Sequence, residues 1–308
     1  MGSHGAASVV VGVDGTQGSV GALRYAAHQA GVRGSTLTVV HVGLRHDPTY
    51  AVMPYSPEDV AAAGLAVLTR ARARVSSVAP AIEVITSLRQ GSRIGELADA
   101  ASAASLLVLG RETQHGFDRL VFGTTTAAVV ARAAAPTVIV PQDWEPTSSK
   151  GPVVAGLSVA AYSDVLLATA FALATAQDVG VEVVHAWQAP EAYIDRLEWR
   201  DDASDLAAKA AELVDREVRA GRTGYEHVPV AIRVVDDAPG RALIAAASAA
   251  SAVVLLRQDA HRHVGKHLGS TTRAVISGVS CVVYVVPAPP RPSTTSDREH
   301  CRPTALVP

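Results

Sequence analysis

Two short stretches hold the residue types that can grip an anionic ligand. VVVGVDG, from Val9 to Gly15, ends an apolar run on Gly12, Val13 and an acid, Asp14. A second stretch leaves an apolar run at Gly110 and opens a helical pattern at Gly123-Thr124-Thr125-Thr126. Glycine lets backbone N–H groups approach a phosphate closely, and hydroxyls with free amides at a helix start favour negative charge. The chemistry is that of a phosphate cradle rather than of bond making. Asp14 has two readings, a ligand contact or a residue that orients the turn into the next helix; Gly110 and Gly123 can each be plain turn glycines. Other chemistries find less support. GKHLGSTT lacks the order of a Walker loop, no GxSxG elbow is present, and Cys281 sits in an apolar run without an evident base. His261, His263 and His267 lack the cysteine or carboxylate partners of a zinc site. His41 and His185, each ending an apolar run, read as satisfied core or rim histidines.

These stretches need a frame that brings them together, and the chain states that frame twice. AASAAS occurs at Ala100–Ser105 and again at Ala246–Ser251. A shift of 144 positions lays Val9 over Val153 and VVHV ending at Val42 over VVHA ending at Ala186, and a shift of 146 fits the region around AASAAS. A whole-domain duplication follows. Within the first copy, Val9–Val13, Thr36–Val42, Ile82–Leu88, Leu106–Leu109 and Thr137–Val140 read as strands. Helices are expected at Ser19–Ala30, from Ser56-Pro57-Glu58 on to Val78, at Gly95–Ala104 and at Thr124–Ala134. AASAAS then lies in a helix whose small side chains let it approach the sheet. Apolar strands alternating with helices predict a parallel sheet covered on both faces, with ligands at its carboxyl edge.

Composition narrows the function classes. With 308 residues, 48% apolar and only three Trp and three Phe, two Ala/Val/Leu cores are expected. A net charge of −2 removes the electrostatic basis for nucleic-acid or acidic-lipid binding. Arg70, Arg72 and Arg74 read as a solvated helix face. No apolar run is long enough for a membrane span, and MGSHGAAS lacks the apolar core of a secretory signal. With two cysteines placed unsuitably for a bridge, a reducing, cytoplasmic setting is expected.

VVVGVDGTQGSVGALRYAAHQA, the strand ending VVHV, and VLGRETQHGFDRLVFGTTTAAVVARAAAPTVIVP together resemble the universal stress protein family, in its tandem two-domain form. The likeness covers nearly everything but the linker and tail. It implies an α/β protein of two tandem doubly wound domains, each a five-stranded parallel sheet of Rossmann-like order 3-2-1-4-5 with helices on both faces. The expected boundaries are 1–143, a linker at 144–152, 153–287, and a disordered tail at 288–308. In nucleotide-binding members a glycine, two residues, a second glycine, nine residues, a third glycine and a Ser or Thr hold the phosphates. That pattern falls on Gly110, Thr113, Gly123 and Thr124, with Thr113 where the second glycine belongs. The resemblance assigns the adenosine part to Asp14 and Val42, beside Gly12 and Val13, and the phosphates to Arg111, Thr124, Thr125 and Thr126.

The second copy departs further: Ser158 replaces Asp14, Leu256 replaces Gly110 and Asp259 replaces Thr113. Arg257, Gly269, Ser270, Thr271 and Thr272 survive as a weaker site. A micromolar site is worth roughly 8 kcal/mol. Losing the acid costs about 1.5–3 kcal/mol, and each side chain at a glycine position about 1–3 kcal/mol. Together these changes are expected to erase ordinary nucleotide affinity in the second copy, and the first copy is the better candidate, its binding weakened about ten- to a hundredfold if Thr113 takes a glycine conformation. The expected function is ATP binding, with or without Mg2+, for stress response or signalling, without dedicated catalysis. The alternative is an interaction scaffold whose sites have both decayed; an enzyme activating substrates with ATP lacks a substrate domain here. The expected partners are adenine nucleotide and a second copy in a homodimer. The resemblance also implies pairing of the two halves through Val138–Pro141 and Tyr284–Pro287.

Overall fold

Val9, Val10 and Val11 are buried in β1 (Val9–Gly12), the central strand of its half. β1 is flanked in parallel by β2 (Leu37–Gly43) and β4 (Leu106–Arg111), which are bordered in turn by β3 (Val84–Gln90) and β5 (Thr137–Pro141). The computed structural model describes residues 8–43, 56–111, 124–147, 150–158, 162–187, 199–257 and 268–289, with side chains from 125 and from 205 in the two helices that begin at 124 and 199. The second half repeats the arrangement with β6 (Val153–Gly156), β7 (Val181–Trp187), β8 (Val230–Asp236), β9 (Ala252–Arg257) and β10 (Val282–Pro287). All ten strands join in one sheet of order β3-β2-β1-β4-β5-β10-β9-β6-β7-β8. Both halves thus keep the 3-2-1-4-5 order expected from the resemblance.

Only the β5–β10 contact is antiparallel among these pairings, with Ile139 opposite Val283, Val138 opposite Tyr284 and Thr137 opposite Val285. β-branched residues on both strands favour the pairing, and it closes two edges that would otherwise expose unpaired amides and carbonyls. Helices α1 (Val20–Arg33), α2 (Pro57–Val78), α5 (Ser163–Gln177) and α6 (Trp199–Gly221) supply one face; α3 (Arg93–Ala100), α4 (Thr124–Arg132), α7 (Pro239–Ala246) and α8 (Ser270–Gly278) supply the other. Each face has one apolar cluster that runs through both halves.

α2 begins as its sequence predicts. The Ser56 hydroxyl accepts from the Asp59 N–H at 3.1 Å, the Asp59 carboxylate accepts from the Ser56 N–H at 3.0 Å, and Pro57 follows the cap. AASAAS is a correction. α3 ends at Ala100 and α7 at Ala246, so the hexapeptide forms the exit from each helix rather than its body. Ser105 N–H donates to Ser8 and Ser251 N–H to Pro152, at 3.0 and 3.1 Å, fastening each exit to the chain just before β1 or β6. Small residues are needed because the connection is tight; Ala101 and Ala247 are buried.

The start of the expected linker is packed. The Trp144 ring meets Tyr25 edge-on at 4.8 Å, and Glu145 pairs with Arg24 on α1. The Tyr25 and Tyr284 hydroxyls hydrogen-bond to each other, joining α1 to β10. Apart from Ala288 and Pro289, the expected tail lies outside the described residues. No described helix is long and apolar enough to cross a membrane.

Candidate functional site

The carboxyl ends of β1, β2 and β4 open on a cleft of about 380 Å³. It brings together Gly12, Val13, Asp14, Val42, Gly110, Arg111, Thr125 and Thr126, eight of the eleven residues picked from sequence for the first half. Thr113 and Gly123 lie outside the described residues, and Thr124 opens α4 without a described side chain. α3 and α4 both begin at this edge, because each descends antiparallel to the strands after leaving it. Leu97 and Leu109 form an apolar floor.

Asp14 serves the turn and leaves capacity for a ligand. Its Oδ1 accepts from the Thr16 N–H at 2.9 Å and the Thr16 hydroxyl at 2.8 Å, while Oδ2 has no bond to the described residues. It is the only carboxylate among the described residues lining the cleft. His41 is spoken for: since a carbonyl can only accept, its Nδ1–H donates to Val13 across 2.8 Å. His185 does the same to Leu157 at 2.9 Å in the half where the acid is missing. These histidines tie the first and second strand ends together, as their rim reading anticipates.

Gly110 answers to its neighbours before any ligand. A side-chain carbon there would fall 2.1 Å from the Gly18 carbonyl oxygen, because the 3₁₀ turn Gln17–Ser19 lies directly on the end of β4. In the second half Leu256 stands at Gly110's position, and Tyr162, at Gly18's position, adopts φ of 78°.

Arg111 is the main correction to the sequence reading. Its side chain is buried, with Nη1 donating to the Ile276 carbonyl and Nη2 to the Cys281 carbonyl at 3.2 Å, both in the other half. Burial lowers the Arg111 pKa, yet arginine starts so far above neutral that the guanidinium keeps its proton. Arg257 mirrors it: Nη1 donates to Val130 at 2.7 Å and Ala133 at 2.6 Å in the first half. Neither guanidinium is available to phosphate in this arrangement. The nearby Cys281 thiol is pushed up to about 11 by burial, which leaves it protonated and unreactive at neutral pH.

Sequence reasoning missed Arg93. It begins α3, is exposed, lines the cleft and has no ion pair among the described residues. A signal was present in GSRIGEL after a strand, where Ser92 stands at the cap position. At the matching position of the second half stands Pro239. The mouth there has Ser158 exposed, Gly269 capping α8, and Ser270 and Thr271 in its first turn, while Thr272 is buried. Among the described residues no cluster of three or more His, Cys, Asp or Glu could hold a metal ion; His261, His263 and His267 lie outside them. The first cleft thus combines an apolar floor, a carboxylate oxygen, an exposed cation, and hydroxyls at a helix start.

A family model described as "Universal stress protein family" matches residues 7–141 and 152–287, one match in each half. The chain belongs to the universal stress protein family. A universal stress protein of Mycobacterium tuberculosis is 29% identical over 286 residues, covering 90% of this chain and 96% of that protein. Among solved structures, a universal stress protein from Archaeoglobus fulgidus has 18% identity and a TM-score of 0.68, covering 91% of this chain and 98% of that one. That likeness concerns the fold. A universal stress protein solved in complex with cAMP covers 44% of this universal stress chain and 97% of its own, at 22% identity and a TM-score of 0.35.

Proposed function

We propose that this universal stress protein binds ATP in its first half and works by changing surface or assembly on binding rather than by catalysis. The observation that carries the reading is the Asp14-centred cleft, flanked by Val42 on one side and by Thr125 and Thr126 at the start of α4 on the other. Asp14 Oδ2 would accept from the ribose hydroxyls, the floor of Leu97 and Leu109 would take apolar surface, and the first amides of α4 would meet phosphate. Arg93 takes the role of cleft cation that the sequence suggested for Arg111. Mg2+ would arrive with the nucleotide, held chiefly by its phosphates. In this reading Asp14 holds the ribose, away from the phosphates at the start of α4, so it is not placed as their general base and any ATP hydrolysis would be slow. Self-association of two chains would use a surface other than β5 and β10, which are already paired within one chain.

Equilibrium dialysis with labelled ATP tests the site. Asp14→Asn keeps an acceptor for Thr16 but removes the charge, and affinity is expected to fall about ten- to a hundredfold. Ser158→Ala, at the matching place in the second half, should leave binding unchanged. Wild-type affinity in Asp14→Asn would remove the proposed site.

The second reading is a nucleotide-independent scaffold, favoured by Ser158 and Leu256 in one mouth and by the diversion of both arginines. Mass spectrometry of a heat extract of the purified protein separates the two. Co-purified adenine nucleotide excludes a pure scaffold.

A further inference from the structure

The diverted arginines form a reciprocal clasp, and one arm of it ends on the helix that starts the cleft. α4 has nine residues, so its first turn, with Thr125 and Thr126, is only about two turns from its last carbonyls. The last carbonyls of any helix lack intrahelical donors and carry the negative end of its dipole. Here the Val130 and Ala133 carbonyls are met by one nitrogen of Arg257, which leaves β9 in the other half. α4 is thereby held at its far end by the second half, while its near end lines the cleft of the first.

We propose that Arg257 is a positioning residue for the nucleotide cleft: the second half, without needing a ligand of its own, fixes the helix whose start receives phosphate. This rests on the nucleotide reading above. It explains why Arg257 persists where Asp14 and Gly110 have been replaced. The reverse arm has the same form, since Arg111, continuing directly from Gly110 in the cleft wall, is anchored on Ile276 near the end of α8 and on Cys281 just beyond it. Occupancy of the first cleft and the placement of α8 are linked through these bonds, and linkage is reciprocal.

The test uses the full chain as wild type, Arg257→Gln and Arg257→Lys, with calorimetric binding of ATP and of adenosine, and hydrogen exchange of the segment 124–132. Arg257→Gln is expected to weaken ATP about tenfold, leave adenosine unchanged and raise exchange in that segment. Arg257→Lys should recover most of both, because a single nitrogen makes both bonds. Wild-type ATP affinity and exchange in Arg257→Gln would overturn the proposal. So would an equal loss for ATP and adenosine with exchange raised throughout the chain, the mark of a merely structural residue. If the wild type binds neither ligand the nucleotide reading fails, and exchange at 124–132 alone then decides whether the clasp holds α4.

Discussion

Gly110 shows how one residue can look functional for a structural reason. Its lack of a side chain accommodates the Gly18 carbonyl, a backbone atom that cannot swing aside. Gly110→Ala is therefore expected to cost about 2–4 kcal/mol of stability, seen as a lower midpoint in thermal or urea unfolding. An unchanged midpoint would show that the Gln17–Ser19 turn can lift from β4. The same geometry makes Asp14→Asn the cleaner probe of binding. Arg111 was legible as a charged residue beside the cradle, but its direction was not. A side chain leaving a strand end can reach a ligand or a neighbouring helix, and only the position of α8 decides between them. Arg93 is the converse, inconspicuous in sequence and brought to the cleft by the crossover from β3 to β4.

Strands and helices came out of the sequence close to where they lie, because buried β-branched runs and helical spacing are local signals. The helix exits did not. AASAAS has helical composition, yet the chain must turn within a few residues to enter β4 or β9, and this tertiary demand overrides propensity. The end of the first helix shows a second local difference between the copies. Gly34 closes α1 at φ of 58°, and Asp178 closes α5 at φ of 54°. A left-handed conformation strains Asp but suits Gly. Asp178→Gly is expected to stabilise the protein by about 0.5–1 kcal/mol, read as a raised unfolding midpoint. A lower midpoint would mean that chain entropy outweighs the relief of strain.

Across the whole molecule, the two halves are fused by a continuous sheet, two shared cores, the arginine clasp and a buried tyrosine pair. Burial raises the Tyr284 pKa to about 12 and that of Tyr25 well above its usual 10.0. The folded state holds both phenols protonated while the unfolded chain releases their protons near pH 10. Between pH 10 and about 12 the unfolded state thus binds fewer protons, and stability falls as pH rises; below pH 10 the contribution is intact. Thermal unfolding measured from pH 8 to 12 should show this loss, and Tyr25→Phe with Tyr284→Phe together should reduce its slope. An unchanged slope in the double variant would assign alkaline sensitivity to other groups.

The duplication and the strand and helix order were set by sequence alone, since each depends on neighbours in the chain or on a repeat that can be laid over itself. The destination of the arginines, the docking of Trp144, the cause of Gly110 and the presence of Arg93 were decided by tertiary structure. They depend on which elements distant in sequence arrive at the same place. For the arginines that arrival is governed by the antiparallel joining of β5 to β10, which sets each half's last helix against the other half's fourth strand.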